Sequence, residues 1–228
     1  MLVHVPALLD SEQLTHFRKQ LDAGNAPWVD GRVTAGHQGV HVKQNQQIAE
    51  GSSTAIELGN IVLSALERHP LFISAALPHR VYPPMFNRYQ GGMHFGSHVD
   101  GSVRLMPGTG DKIRTDLSAT LFLAAPNSYD GGELLIEDTY GTQTVKLPAG
   151  DMILYPASSL HQVNPVTRGM RMACFFWVQS MIRDDGQRTL LFDLDNAIQR
   201  LTATNADEGA RVRLTGCYHN LLRMWSDV

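Results

Sequence analysis

A chain of 228 residues with 43% hydrophobic composition is long enough for one substantial core and too short to require a second full domain. Its formal net charge of -3, from 19 Lys+Arg against 22 Asp+Glu, gives no basic footprint for a phosphate backbone, which argues against nucleic acid as a partner. Two cysteines, Cys174 and Cys217, beside 10 histidines argue against a disulfide framework and a thiolate zinc site, so any metal is expected on nitrogen and oxygen ligands. The opening MLVHVPALLDSEQ lacks a positive start with a long apolar run, and no stretch reaches membrane-spanning length, so a cytoplasmic protein without membrane association is expected.

From the N-terminus, Pro6 to Ala23 reads as a helix that Asp10 or Ser11 caps, with Leu14, Phe17 and Leu21 at helical spacing. The loop-rich segment Val29 to Gln47 carries Asp30, Arg32, His37, His41, Lys43 and Gln44, and reads either as a lid or substrate wall or as a solvated connector. A second helix is expected over Ser53 to Glu67, with Leu58, Ile61, Val62, Ala65 and Leu66 along one stripe.

From Arg80 to Met181 the period shortens. Phe86 to Tyr89, Leu117 to Ala124, Glu133 to Glu137, Thr142 to Leu147, Met152 to Tyr155 and Met170 to Gln179 are strand-like, separated by turns such as Asp130-Gly131-Gly132. Many short strands with frequent turns predict a sandwich or jelly roll. After a charged break at Arg183 to Gly186, Leu190, Leu191, Leu194, Ile198 and Leu201 restore a helical pattern, and Tyr218 to Trp225 closes the chain. These tail helices are expected to pack on the β core or on another subunit, which leaves a homo-oligomer open. The chain therefore divides into a helical and loop-rich flank (1–79), a β core (80–180) and a C-terminal helical element (181–228).

The segment Met93 to Asp100 ends in the pair His98 and Asp100, and in an extended strand residues two apart share a face, so an imidazole and a carboxylate converge. A third ligand is expected from a distant strand. The later histidines are His161, shortly after the strand Met152 to Tyr155, and His219, in the helical tail. Two histidines and one carboxylate leave open positions opposite, the facial triad of non-haem iron(II) oxygenases, although zinc or manganese suits the same donors. His94 has the parity of His98 and reads as a substrate-facing or supporting residue, or as a plain structural histidine.

Ten residues after His161, Arg171 enters an apolar strand, where a charge needs a partner. A guanidinium suits a bidentate carboxylate, and a dicarboxylic keto acid chelating a metal through one end would present its other carboxylate there. Arg168 reads as part of an exposed turn. Ser118 and Thr120 alternate with Leu117, Ala119 and Leu121 and read either as lining the pocket or, by preference, as a polar outer face of the sheet.

With this spacing, His98-Val99-Asp100, His161 and Arg171 resemble the signature of the iron(II)/2-oxoglutarate dioxygenases. More narrowly, the chain resembles the bacterial PKHD-type hydroxylases, relatives of prolyl and lysyl hydroxylases. The likeness runs nearly end to end, through Phe86 to Gln90, Arg114 to Leu123, Ser128 to Leu134 and Met181 to Asp185. It implies an α+β protein whose double-stranded β-helix (jelly-roll) core, residues 80–180, is flanked by N-terminal and C-terminal helices. It also implies iron(II) on His98, Asp100 and His161, 2-oxoglutarate on Arg171, dioxygen as reactant and ascorbate as reductant. The implied reaction hydroxylates a C–H bond of a small-molecule or protein substrate and releases succinate and CO2. Tyr89, nine residues before His98, is implied to hydrogen-bond 2-oxoglutarate, while its own pattern reads equally as a core aromatic. Relatives associated with bacterial iron uptake point to a siderophore-related substrate. Two other readings of the same ligands stand beside this one: a cupin-like zinc or manganese hydrolase or isomerase, which has no use for Arg171, and a non-catalytic iron or 2-oxoglutarate sensor.

Overall fold

The computed structural model describes residues 1–34, 36, 39–139, 141–204 and 207–227; His37 of the Val29–Gln47 segment lies outside them. In chain order the strands are β1 Val3–Val5, β2 Trp28–Asp30, β3 Lys43–Gln44, β4 Gln46–Ile48, β5 Pro78–Val81, β6 Met85–Gln90, β7 His94–His98, β8 Val103–Leu105 and β9 Lys112–Arg114. They continue as β10 Leu117–Phe122, β11 Asp130–Gly131, β12 Leu134–Asp138, β13 Gly141–Val145, β14 Met152–Pro156, β15 His161–Val163, β16 Val166–Arg168 and β17 Met170–Ser180. The α-helices are α1 Ser11–Leu21, α2 Ser53–Glu67, α3 Pro70–Ala76, α4 Asp185–Ala203 and α5 Glu208–Trp225.

A large antiparallel sheet has the order β1-β14-β10-β17-β6-β4-β2, with β5 also paired to β17, and a smaller one has the order β13-β12-β15-β7-β3. Their facing surfaces enclose a cavity, and the whole is the α+β jelly roll expected from the alternating strands and turns. The spine is β17, which pairs with β10, β6 and β5 along its length. Alternate side chains of a strand point to opposite faces. Cys174 and Val178 accordingly enter the main core, Arg171, Phe175 and Trp177 turn into the cavity, and Phe176 belongs to the core while also touching the cavity.

The helices cover the outer face of the large sheet. Asp10 caps α1: its side chain accepts from the Gln13 backbone N–H, and the Gln13 side chain accepts in return from the Asp10 N–H. Phe17 of α1 then meets Phe86 of β6 edge-on, with centroids 5.9 Å apart. Ser52 caps α2, which buries Leu58, Val62 and Leu66. The N-terminal flank also supplies strands to both sheets, since β1 pairs with β14, β4 with β6 and β3 with β7. Within the Val29–Gln47 segment, Thr34, Lys43 and Gln47 line the cavity and Lys43, Asn45 and Gln47 are buried, as the wall reading expects, while Arg32, Val33, His41 and Gln44 are exposed, as a solvated connector would be.

One glycine turn bears on the site. A Cβ on Gly131, whose φ is 73°, would stand 1.9 Å from the Pro165 carbonyl oxygen, so only glycine lets β11 lie against β16. The next residue, Gly132, closes on the Arg171 side chain.

The C-terminal helices pack on the body of the same chain. Tyr218, Leu221, Leu222 and Trp225 surround Leu77, Ile182 and Leu191. Arg188 of α4, 2% exposed, anchors this joint by donating to the Ile182 carbonyl at 2.6 Å, the Arg183 carbonyl at 2.8 Å and the Asp185 carboxylate at 3.0 Å. Among the described residues no helix is long and apolar enough to cross a membrane.

Candidate metal and co-substrate site

The site begins with an irregularity. β15 runs beside β7, with His161 opposite His98 but Val163 opposite Phe95, so β7 holds one residue more than its partner over the same span. Such a bulge reverses the alternation of side chains beyond it. Phe95 and His98 therefore share a face, and their rings stack with centroids 3.6 Å apart. His94 is turned away: it does not line the cavity, and its Nδ1 faces the Gly92 carbonyl at 3.2 Å. Of the two readings of His94, the contact with the Gly92 carbonyl is the one a structural histidine makes, and the bulge breaks the parity with His98 on which the substrate-facing reading rested.

His98, Asp100 and His161 come together, with one donor atom from each lying within 4.8 Å of the others. The two imidazole centroids are 4.2 Å apart, and His161 Nε2 is 3.7 Å from Asp100 Oδ2. Each ring is oriented from behind by a backbone carbonyl: His98 Nδ1 lies 2.7 Å from the Gly96 oxygen and His161 Nδ1 lies 3.0 Å from the Ser159 oxygen. A carbonyl only accepts, so Nδ1 carries the proton and Nε2 presents its lone pair, the tautomer a metal needs. Burial, and next the neighbouring His161, hold the His98 pKa well below the usual histidine range, which keeps this ring neutral. His219 stands on α5, on the far helical element.

Ser118 Oγ donates to Asp100 Oδ2 at 2.6 Å. This corrects the outer-face expectation for Ser118 and Thr120, which are both buried and line the cavity. Alternation shows that residues share a face but not which face turns inward, and here hydroxyls serve the interior.

Arg171 sits in the same cavity, 1% exposed. Its guanidinium lies 5.3 Å from the ring centroids of both Tyr89 and Phe122, and its buried Nε has no hydrogen-bond partner. The Tyr129 hydroxyl lies beside the guanidinium: burial disfavours the ionised phenol, while the arginine's charge and side-chain contact favour it. Arg168, by contrast, is exposed and paired with Asp130 at 2.7 Å. Tyr89 lies directly across from Arg171 in the β6–β17 ladder; it is both a core aromatic and part of the cavity wall.

Tyr155 and Arg104, which carried no signal in the sequence, also line the cavity, as does Lys43 of the segment read as a lid or substrate wall. Tyr155 meets the His161 ring edge-on at 5.2 Å, and burial pushes its phenol pKa up, so it stays protonated. Burial, with the Arg104 charge next, brings the Lys43 ammonium down to about 8. The cavity holds about 450 Å³, a volume in the range of small-molecule sites.

Two imidazoles oriented by backbone carbonyls and a carboxylate fit a divalent iron, and a buried guanidinium with no carboxylate beside it among the described residues fits a carboxylate. Comparison with known proteins agrees with that donor chemistry. Residues 84–179 match the model of the 2OG-Fe(II) oxygenase superfamily, and residues 185–227 match the PKHD-type hydroxylase C-terminal domain. Curated proteins named PKHD-type hydroxylase are 66% identical in Paraburkholderia phymatum and 67% identical in Cupriavidus metallidurans, each over 100% of both chains. The chain belongs to the PKHD-type hydroxylase family. The enzyme is thereby a 2-oxoglutarate-dependent dioxygenase, which decides against the cupin-like hydrolase and the non-catalytic sensor.

Among solved structures, the dioxygenase resembles a prolyl hydroxylase in complex with a hypoxia inducible factor peptide fragment from Trichoplax adhaerens. That match has a TM-score of 0.57 at 16% identity, over 83% of this chain and 86% of that one. A non-haem α-ketoglutarate-dependent carbocyclase from nogalamycin biosynthesis gives 0.55 at 18% identity, over 79% and 80%. At such identities the likeness is one of fold, and a fold shared by a hydroxylase and a carbocyclase does not select a substrate.

Proposed function

We propose that this enzyme hydroxylates a C–H bond of an organic substrate, using iron(II) held by His98, Asp100 and His161 and 2-oxoglutarate held by Arg171. The observation that carries the reading is Arg171: a guanidinium 1% exposed, its Nε unsatisfied, in the cavity that holds the three donors. A buried unpaired cation is costly, and a carboxylate delivered by the co-substrate removes that cost. Iron and 2-oxoglutarate, when bound, supply the oxidant from dioxygen, and the co-substrate leaves as succinate and CO2.

The chain's own part is orientation. The Gly96 and Ser159 carbonyls fix both imidazoles, and the Ser118 hydroxyl fixes the Asp100 carboxylate. Tyr89, across the ladder from Arg171, is assigned a hydrogen bond to 2-oxoglutarate. The aromatic walls Phe95, Phe175 and Trp177 limit water near the reacting bond. Residues 80–180 as the dioxygenase core between flanks 1–79 and 181–228, ascorbate as reductant and a cytoplasmic location belong to the same reading.

The test is anaerobic titration of iron(II)-loaded protein with 2-oxoglutarate. A weak visible charge-transfer band is expected, lost on admission of oxygen as succinate forms. Absence of both band and binding, in protein shown to contain iron(II), would overturn the assignment.

A further inference from the structure

The cavity has a second cationic end, and the proposed reaction gives it no task. Lys43 is 4% exposed; its Nζ donates to the Thr34 hydroxyl at 3.0 Å and lies 5.1 Å from the Phe95 ring centroid. Arg104 stacks on two rings, 4.2 Å from the Trp177 centroid and 4.9 Å from that of Tyr82, and its buried Nε has no partner. Among the described residues neither cation has a carboxylate within ion-pair distance, and Lys43 feels the unfavourable Arg104 charge more strongly than the favourable charge of Asp100. The strand β8 that delivers Arg104 reverses the usual pattern: Val103 and Leu105 are 55% and 63% exposed, while the charged residue between them turns inward.

This end lies opposite Arg171. Arg171 and Trp177 share the cavity face of β17 and are six residues apart, roughly 20 Å along a strand at about 3.3 Å per residue. The three donors stand between them. His161 packs against Tyr155, which feels the Arg171 charge, while His98 stacks on Phe95 beneath Lys43. With 2-oxoglutarate reaching from the metal toward Arg171, the space toward Lys43 and Arg104 remains for substrate.

We propose that the substrate is an organic acid whose carboxylate is held by Lys43 and Arg104, with its apolar body lying along Phe175 and Trp177 toward the metal. The proposal rests on the oxygenase reading above. A planar guanidinium held by aromatic stacking and an ammonium held by Thr34 offer a charge-assisted seat for a carboxylate. An apolar wall beside them favours an organic acid over an inorganic anion.

The test uses the full chain, anaerobic, loaded with iron(II) and saturated with 2-oxoglutarate so that Arg171 is occupied. Calorimetric titration compares benzoate, its neutral isostere benzamide, and inorganic phosphate. Benzoate is expected to bind at least about ten-fold more tightly than benzamide and than phosphate, and Arg104→Gln and Lys43→Gln are each expected to erase the preference. Equal binding of benzoate and benzamide, no benzoate binding, or a preference that survives in folded Arg104→Gln protein would overturn the proposal. Phosphate binding as tightly as benzoate would overturn the organic-acid assignment. The wild-type comparison needs no variant, so misfolding of Lys43→Gln leaves the decision intact. Saturation with 2-oxoglutarate is read first: its failure brings down the oxygenase reading, whereas benzoate failure after normal saturation brings down the acid seat alone.

Discussion

Two arginines are buried to the same degree, Arg171 at 1% and Arg188 at 2% exposure, yet their surroundings are opposite. Arg188 spends its guanidinium on two backbone carbonyls and the Asp185 carboxylate, tying α4 to the end of β17. Both Nε atoms lack a partner, so the difference lies elsewhere: the terminal nitrogens of Arg188 donate three hydrogen bonds, whereas Arg171 rests against the rings of Tyr89 and Phe122 at the cavity wall. Burial alone does not separate a structural cation from one waiting for a ligand; the partner inventory does.

The contrast is sharpened most by Arg171→Met, which keeps bulk and removes charge. 2-Oxoglutarate affinity is expected to fall by about 100-fold or more, since losing one partner of a buried charged pair costs on the order of 2–5 kcal/mol. The ligand-free protein should melt no lower than wild type, because the change removes a buried charge that, among the described residues, has no carboxylate partner until the co-substrate binds. Calorimetry and thermal unfolding of one preparation check both, and unchanged co-substrate affinity would break the comparison. Arg188→Met should do the reverse, lowering stability by about 3 kcal/mol in urea denaturation while the folded fraction still binds 2-oxoglutarate.

A smaller effect is expected from Ser118→Ala, which removes the hydroxyl that orients Asp100. Competition with a chelator should report iron(II) affinity weakened about ten-fold, with little change in unfolding. The smallest effect concerns Lys43 in metal-free protein. Its folded pKa of about 8 lies below the roughly 10.4 of an unfolded lysine, so between those values the unfolded chain holds a proton that the folded chain lacks. Stability from this group therefore rises with pH across that window, and the cost of burying the ammonium is fully present below it. Lys43→Met should be more stable than wild type at pH 7, with the gap narrowing toward pH 10. A gap that stays constant would mean Lys43 does not titrate there.

Long, strongly patterned elements were legible in the sequence. The second helix falls on Ser53–Glu67, and the last predicted strand falls within Met170–Ser180. Strands of two or three residues, such as Lys43–Gln44 and Gln46–Ile48, have no period to read and form only because neighbouring strands receive them. The short helix Pro70–Ala76 did leave a signal, a proline at its first turn, that went unread. At the site, His98 and Asp100 were visible because their spacing is local. Lys43 was visible only as one residue of a candidate wall segment and Arg104 not at all, because only the tertiary fold brings the two beside the same aromatic wall.

The bulge in β7 also bears on how relatives are recognised in genomes. A search that counts every second residue back from His98 selects Gly96 and His94 as inward-facing. The fold instead turns Phe95 inward, three positions back, with its ring against His98. In this chain the cavity-lining positions therefore shift frame at the bulge, so that a change at Phe95 alters the wall against His98 whereas a change at His94 does not.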